Sequence, residues 1–189
     1  WAGHHRKTLT VIVVGETARA ANFSLDGYSR DTNPLLARQA GLINFSRVSS
    51  CGTATAVSVP CVFSAFGRND YSQSKAASQE GLLDVLTHAG FAVLWRDNNS
   101  GCKGVCNRVG YEDLSRPDGK NVHCSGDECY DERLLDGLPG LLANSGKDLV
   151  VVLHQKGSHG PAYASRYPQG FGRFGPVCAS NDFDTCSRE

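Results

Sequence analysis

Three apolar, β-branched runs, each closed by polar residues, limit what this chain can fold into. Residues 9–16 read Leu-Thr-Val-Ile-Val-Val-Gly-Glu, residues 91–97 read Phe-Ala-Val-Leu-Trp-Arg-Asp, and residues 148–154 read Asp-Leu-Val-Val-Val-Leu-His. Runs that are apolar on both faces, rather than alternating, suit strands of a parallel sheet covered by helices. Helical patterns lie between them. Residues 80–90 are amphipathic and stop at Gly90, and residues 131–144 lead through Ser145-Gly146 into the third run. Residues 32–41 offer Thr32 or Asn33 as a cap, Pro34 in the first turn and Gly41 as a stop. The alternation predicts an α/β fold with a mostly parallel central sheet flanked by helices. Neither a repeat nor a low-complexity linker divides the chain, so it reads as one domain.

The length of 189 residues is enough for a domain with a real core. Lys+Arg 19 against Asp+Glu 19 leaves no basic excess for nucleic acid and no acidic disordered tail. The longest apolar run, residues 149–153, is far short of the ~20 residues that cross a bilayer. Eight cysteines fall as four close pairs, Cys51/Cys61, Cys102/Cys106, Cys124/Cys129 and Cys178/Cys186. That many in one chain points to disulfides and an oxidising compartment. Near-neighbour pairing is the economical arrangement. Its rival is a zinc site of four thiolates from Cys102, Cys106, Cys124 and Cys129, which leaves the other four cysteines without a role. The chain has no Met and no leader ahead of its first run, and it ends on Thr185-Cys-Ser-Arg-Glu with no closing element. It therefore reads as a portion of a longer protein.

In open α/β sheets, functional groups gather at the carboxyl ends of the strands. Glu16, Asp97-Asn98-Asn99, and His154 with Gly157-Ser158-His159-Gly160 occupy those ends. The stretch Ser49-Ser-Cys-Gly-Thr-Ala-Thr-Ala-Val-Ser-Val-Pro-Cys61 describes a tight turn delivering a helix N-terminus, whose N–H groups and dipole suit a phosphate. Thr53 and Thr55 sit there either as helix caps or as a nucleophile. A threonine hydroxyl needs a base or a metal to attack. Zinc is one such metal, lowering the pKa of bound water from about 15.7 to about 7.

The blocks Val13-Val-Gly-Glu-Thr-Ala-Arg19, Asn22-Phe-Ser-Leu-Asp-Gly-Tyr28 and Ser50-Cys-Gly-Thr-Ala-Thr-Ala-Val-Ser-Val-Pro-Cys61 closely resemble the phosphoethanolamine–lipid A transferases. Asp97-Asn-Asn-Ser-Gly-Cys-Lys-Gly-Val-Cys106, Gly126-Asp-Glu-Cys-Tyr-Asp131 and His154-Gln-Lys-Gly-Ser-His-Gly-Pro161 extend the likeness in order along nearly the whole chain. The family belongs to the alkaline phosphatase and sulfatase superfamily and confers polymyxin resistance. The resemblance implies a disulfide-braced domain at the periplasmic face of the bacterial inner membrane. Residues 1–8 would then be a linker from a membrane domain, and residues 1–189 the N-terminal portion of the catalytic domain. It implies phosphatidylethanolamine as donor, a lipid A phosphate as acceptor and Zn2+ as cofactor. Glu16 and Thr55 would be zinc ligands and Thr55 the nucleophile. Thr53, Asn99, Ser100, Lys103 and His159 would bind substrate, His159 against the transferred phosphate or a second zinc. An exposed surface lysine is the plainer role for Lys103. The family's disulfides support the near-neighbour pairing of all eight cysteines. Its remaining zinc ligands, an Asp-His pair in an Asp-His-Gly-Glu motif and a further His, would lie beyond Glu189, so a C-terminal fragment would complete the site. Where many relatives carry an acidic residue, this chain has Ala21. Two other readings stay open: a phosphodiesterase or sulfatase that passes the group to water, and a non-catalytic disulfide-braced ectodomain.

Overall fold

The computed structural model describes residues 7–119 and 122–186. The expected linker therefore lies outside the described residues except for Lys7 and Thr8. Four strands form one parallel sheet: β1 (Leu9–Val14), β2 (Ala92–Asp97), β3 (Gly110–Asp113) and, late in the chain, the strand Leu149–His154, in the order first, last, second, third. A separate two-stranded hairpin, β4 (Cys124–Ser125) with β5 (Glu128–Cys129), pairs Cys124 opposite Cys129. Leu149–His154 is thus β6, with β1 on one side and β2 on the other.

The core explains this order. Trp95 and Val152 pack on one face with Val59 and Phe63 of α1 (Thr55–Phe63) and Leu83 of a later helix. A short α2 (Gln73–Ala77) precedes that helix, α3 (Leu82–His88). On the opposite face Leu149, Val151 and Leu153 pack with Leu134, and Leu138 and Leu142 of α4 (Leu138–Asn144) lie against them. Every residue of β6 is buried. Full burial of each such aliphatic side chain contributes about 1.5–3 kcal/mol, so β6 is the strand around which the layers close. The apolar run at β1 was expected to be covered on both faces. Among the described residues it stands instead at the end of the sheet, with Leu9, Val11 and Val13 40%, 41% and 56% exposed.

Two helical expectations change. Residues 32–41 form only a 3-10 turn at Leu36–Arg38. The Thr32 hydroxyl donates to the Asn22 carbonyl at 2.6 Å, and Leu35 and Leu36 remain exposed, so no apolar face stabilises a longer helix. The segment 131–144 is broken into a 3-10 helix, Asp131–Leu135, and α4, because Gly137 takes a left-handed φ of +68° between them. Strand β3 and the β4–β5 hairpin, too short for periodicity to reveal, are additional.

All four disulfides are the near-neighbour ones: Cys51–Cys61, Cys102–Cys106, Cys124–Cys129 and Cys178–Cys186. The cysteine zinc site is thereby excluded. No helix among the described residues is long and apolar enough to cross a membrane.

Candidate active site

The parallel register brings Val14, Asp97 and His154 level at the carboxyl edge of the sheet, so the loops that follow β1, β2 and β6 meet. Glu16 stands at that meeting point. Its Oε2 accepts a hydrogen bond from the Thr55 hydroxyl at 2.9 Å and lies 3.3 Å from Asn99 Nδ2, while its Oε1 accepts the Thr17 hydroxyl at 2.8 Å. Thr17 holds a φ of +55°, an unusual conformation for a β-branched residue. Such departures cluster where surrounding structure fixes a functional geometry. Burial pushes the Glu16 carboxyl up, but the hydrogen bonds from Thr17, Thr55 and Asn99, with His159 nearby, outweigh it and hold the group below its ordinary value. Glu16 is thus a carboxylate at neutral pH, with one oxygen against the threonine hydroxyl.

Thr55 is the first residue of α1, yet it does not cap the helix. The N-cap is Ala54, which has no side-chain bond to offer, and the Thr55 hydroxyl is committed to Glu16. The helix start therefore keeps first-turn N–H groups that no side chain caps, beside a hydroxyl held by a carboxylate. Thr53 is exposed on the turn before it. Its neighbour Gly52 packs so closely on the start of α1 that a Cβ there would lie 3.1 Å from Val57 Cγ1.

The loop after β2 supplies the next group. Asn99 Nδ2 also donates to the Gln155 carbonyl at 2.8 Å, so one amide links the loops after β1, β2 and β6. Ser100 donates its hydroxyl to Asn99 Oδ1 at 3.1 Å. Lys103 Nζ donates to the Ser100 carbonyl at 2.6 Å and lies 2.8 Å from its hydroxyl. Lys103 lies inside the Cys102–Cys106 loop with a φ of +54°, and is partly buried rather than a free surface lysine. His159 is exposed. Its Nδ1 lies 2.7 Å from the Gly160 carbonyl and so donates a hydrogen bond to it. Glu16, Thr55, Asn99, Ser100 and Lys103 thus form one connected chain of hydrogen bonds. His159 reaches the cluster through its electrostatic effect on Glu16, and Thr53 flanks it.

Two carboxylates behind the cluster had no assigned role in the sequence. Asp97 is fully buried and accepts Trp95 Nε1 at 2.8 Å, His154 Nδ1 at 2.9 Å and the Asn99 and Gly101 amides at 2.8 and 3.1 Å. Asp131 accepts the Lys156 and Gly157 amides and Asn98 Nδ2. The position of Asp97 at a strand end was the available signal for the first. For the second there was only its place in a matching block.

Zinc is tested by the donor set. Glu16 and Thr55 offer two oxygen donors of the type zinc accepts. Their 2.9 Å separation is that of their hydrogen bond, and it would open to about 3.3–3.6 Å around a tetrahedral ion with bonds of about 2.0–2.2 Å. No group of three His, Cys, Asp or Glu side chains comes together among the described residues. The pair fits zinc as part of a site.

The sulfatase family model matches residues 8–187. The chain belongs to the sulfatase family. Within the family it is similar to transferases. It is 50% identical over 187 residues to phosphoethanolamine transferase EptA of Escherichia coli K12, covering 97% of this chain and 33% of that protein. It is 46% identical over 187 residues to the E. coli phosphatidylethanolamine transferase Mcr-1, covering 96% and 35%. The chain thus spans about a third of the length of these curated relatives. The soluble domain of lipooligosaccharide phosphoethanolamine transferase A from Neisseria meningitidis superposes with a TM-score of 0.90 at 45% identity, covering 99% of this chain and 56% of that one. A more distant sulfatase-fold likeness is the periplasmic domain of E. coli EptC, solved in complex with zinc. Its TM-score of 0.66 at 22% identity, over 89% of this chain and 48% of that one, speaks for the fold.

Proposed function

We propose that this chain carries the nucleophile of a phosphoethanolamine transferase, and that the nucleophile is Thr55. One observation carries the reading: the Thr55 hydroxyl, at the start of α1, spends its proton on the Glu16 carboxylate instead of capping the helix. The likeness to transferases at about half identity supports the reaction class.

The donor is phosphatidylethanolamine. Thr55 Oγ attacks its phosphorus as the phosphorus–oxygen bond to diacylglycerol breaks. The hydroxyl proton leaves by way of the carboxylate oxygen that already accepts it, and the glyceride oxygen takes one up from solvent. Phosphoethanolamine is then an ester on Thr55. A lipid A phosphate oxygen attacks the same phosphorus in the second step and Thr55 Oγ departs, regaining its proton. Negative charge on the phosphoryl oxygens faces the N-terminus of α1 and the Lys103 ammonium, and such preorganised positive groups stabilise the transition state. Asn99 holds Glu16 in line, and Ser100 holds Lys103. Thr53 and His159 flank the donor and acceptor groups. Zinc, held in part by Glu16 and Thr55, would supply Lewis acidity at the nucleophile and the phosphoryl oxygens. The reaction takes place at the periplasmic face of the inner membrane and modifies lipid A so that polymyxin binds less well.

The test is Thr55→Ala in the intact protein, followed by intact-mass analysis after exposure to phosphatidylethanolamine. The wild type should gain one phosphoethanolamine and pass it to lipid A, and the variant should do neither. Transfer by the variant would remove Thr55 as the nucleophile. Release of ethanolamine phosphate by the wild type without modified lipid A would make the protein a hydrolase.

A further inference from the structure

We propose that Asp131 is a positioning residue for this reaction: its carboxylate fixes the turn after β6, and the turn fixes the backbone of Glu16. The proposal rests on the assignment of Glu16 and Thr55 above. Asp131 touches neither. Its Oδ1 accepts the Lys156 amide at 2.8 Å and its Oδ2 the Gly157 amide at 3.0 Å, so both oxygens hold consecutive backbone groups of one turn. Oδ1 also accepts Asn98 Nδ2 at 2.8 Å, and that amide donates to the Cys129 carbonyl at 3.0 Å.

The turn presses directly on Glu16. Gly157 has a φ of +51°, and a Cβ built there would lie 2.7 Å from the Glu16 carbonyl oxygen and 3.0 Å from its amide nitrogen. The next amide, Ser158 N, donates to the Glu16 carbonyl at 3.2 Å. On the near side Gln155 N donates to the Val14 carbonyl at 2.9 Å, and the Gln155 carbonyl accepts Asn99. Residues 155–158 therefore bracket Glu16 from the strand before it to its own carbonyl.

Asp131 has a firm base. It opens the 3-10 helix whose Arg133 and Leu134 are buried, directly after the hairpin closed by Cys124–Cys129. Glu128 of that hairpin pairs with Lys156 and with Arg166, the latter at 2.7 Å, which ties the side chains of the same loop. Asp131 holds two consecutive backbone amides of the turn itself, those of Lys156 and Gly157. A carboxylate accepting two adjacent N–H groups is a stronger, more directional anchor than a surface ion pair.

Asp131→Asn keeps the shape but turns one acceptor into a donor facing a backbone N–H. In the intact protein we expect kcat for phosphoethanolamine transfer to fall on the order of 10–100-fold per folded molecule, the range found when a group supporting a metal ligand is removed. KM for the lipid donor should hold, because the lost interaction orients the reacting groups rather than binding the lipid. Zinc affinity, read by competition with a chromophoric chelator, should weaken by about 10-fold or more. Wild-type kcat and zinc affinity, or losses that match the unfolded fraction alone, would overturn the proposal. Should Asp131→Asn fail to fold, Asp131→Glu keeps the charge but displaces the oxygens by one methylene. A reduced kcat there supports the proposal, and a wild-type kcat overturns it. Glu16→Gln, measured alongside, separates the proposal from the reading it rests on. If that variant binds zinc normally while Asp131→Asn loses kcat, Glu16 is not a metal ligand and the role of the turn stands. If Glu16→Gln loses zinc and Asp131→Asn behaves as wild type, the positioning role falls and the ligand stands.

Discussion

After β2 the chain is held by its own strand. Asp97, the last residue of that strand, takes the amides of Asn99 and Gly101, and the Cys102–Cys106 bridge closes the loop a few residues on. After β6 the anchor is borrowed. The strand ends in His154, whose ring is turned inward to Asp97, and the loop beyond it hangs on Glu128 of the preceding hairpin and on Asp131 just after it. Both loops converge on Glu16, yet one is ordered by residues two to four positions away and the other by residues 25 and more positions away. The contrast teaches that the β2 side is built into the sheet. The β6 side is exact only while a separate unit stays docked.

The largest expected effect breaks the built-in side. Asp97→Ala removes the acceptor for four N–H donors, two of them on the buried Trp95 and His154 side chains. Leaving a buried hydrogen-bond donor unsatisfied costs about 1–3 kcal/mol, and Asp97→Ala leaves more than one. Urea unfolding should register that loss. A change well under 1 kcal/mol, on the scale of an exposed ion pair, would mean that the β2 loop is ordered by its disulfide instead.

Gly157→Ala probes the borrowed side with a smaller penalty to the fold. A non-glycine residue in left-handed backbone costs roughly 1–2 kcal/mol. The added methyl group also meets the Glu16 backbone at 2.7 Å. Transfer activity per folded molecule should therefore drop by more than the stability change alone explains. Activity that simply follows the folded fraction would show that the turn does not set the position of Glu16.

The smallest effect is one of pH. Burial pushes the Asp97 carboxyl up, but hydrogen bonds from His154, Trp95 and the Asn99 amide, with the charge of His154, outweigh it and leave it below its ordinary value. A carboxyl lowered on folding contributes stability above its unfolded pKa and loses it as the pH falls through the folded one. The wild type should therefore lose stability as the pH drops through and below the ordinary carboxylate range. Asp97→Ala should show a shallower acid slope, by the share of one proton. Equal slopes in both proteins would assign the acid sensitivity to other carboxylates.

The same contrast explains what could be read from the residues. Glu16, Asn99 and the strands bearing them announce themselves, because an apolar run ending in a polar group is a local pattern. The tie from the Thr55 hydroxyl to Glu16 spans 39 positions, and it took the family blocks to choose Thr55 over Thr53. Capping, the plainer role for Thr55, fails because the side chain points to the neighbouring strand end. Asp131 was hidden for another reason: two of its three partners are backbone amides, which leave no mark on a sequence. The break at Gly137 was legible, since Gly137-Leu-Pro139 inside a presumed helix is a stop signal. The helix at residues 32–41 shows the converse, with correct capping residues but no buried face to hold it.

The four bridges have sequence separations of 10, 4, 5 and 8, and none encloses or crosses another. A polypeptide threaded amino end first into an oxidising space can thus close each pair soon after its second cysteine emerges, before the next pair arrives. Eight thiols admit 105 pairings when presented together. Presented in this order they admit one at a time, so correct oxidation needs little proofreading.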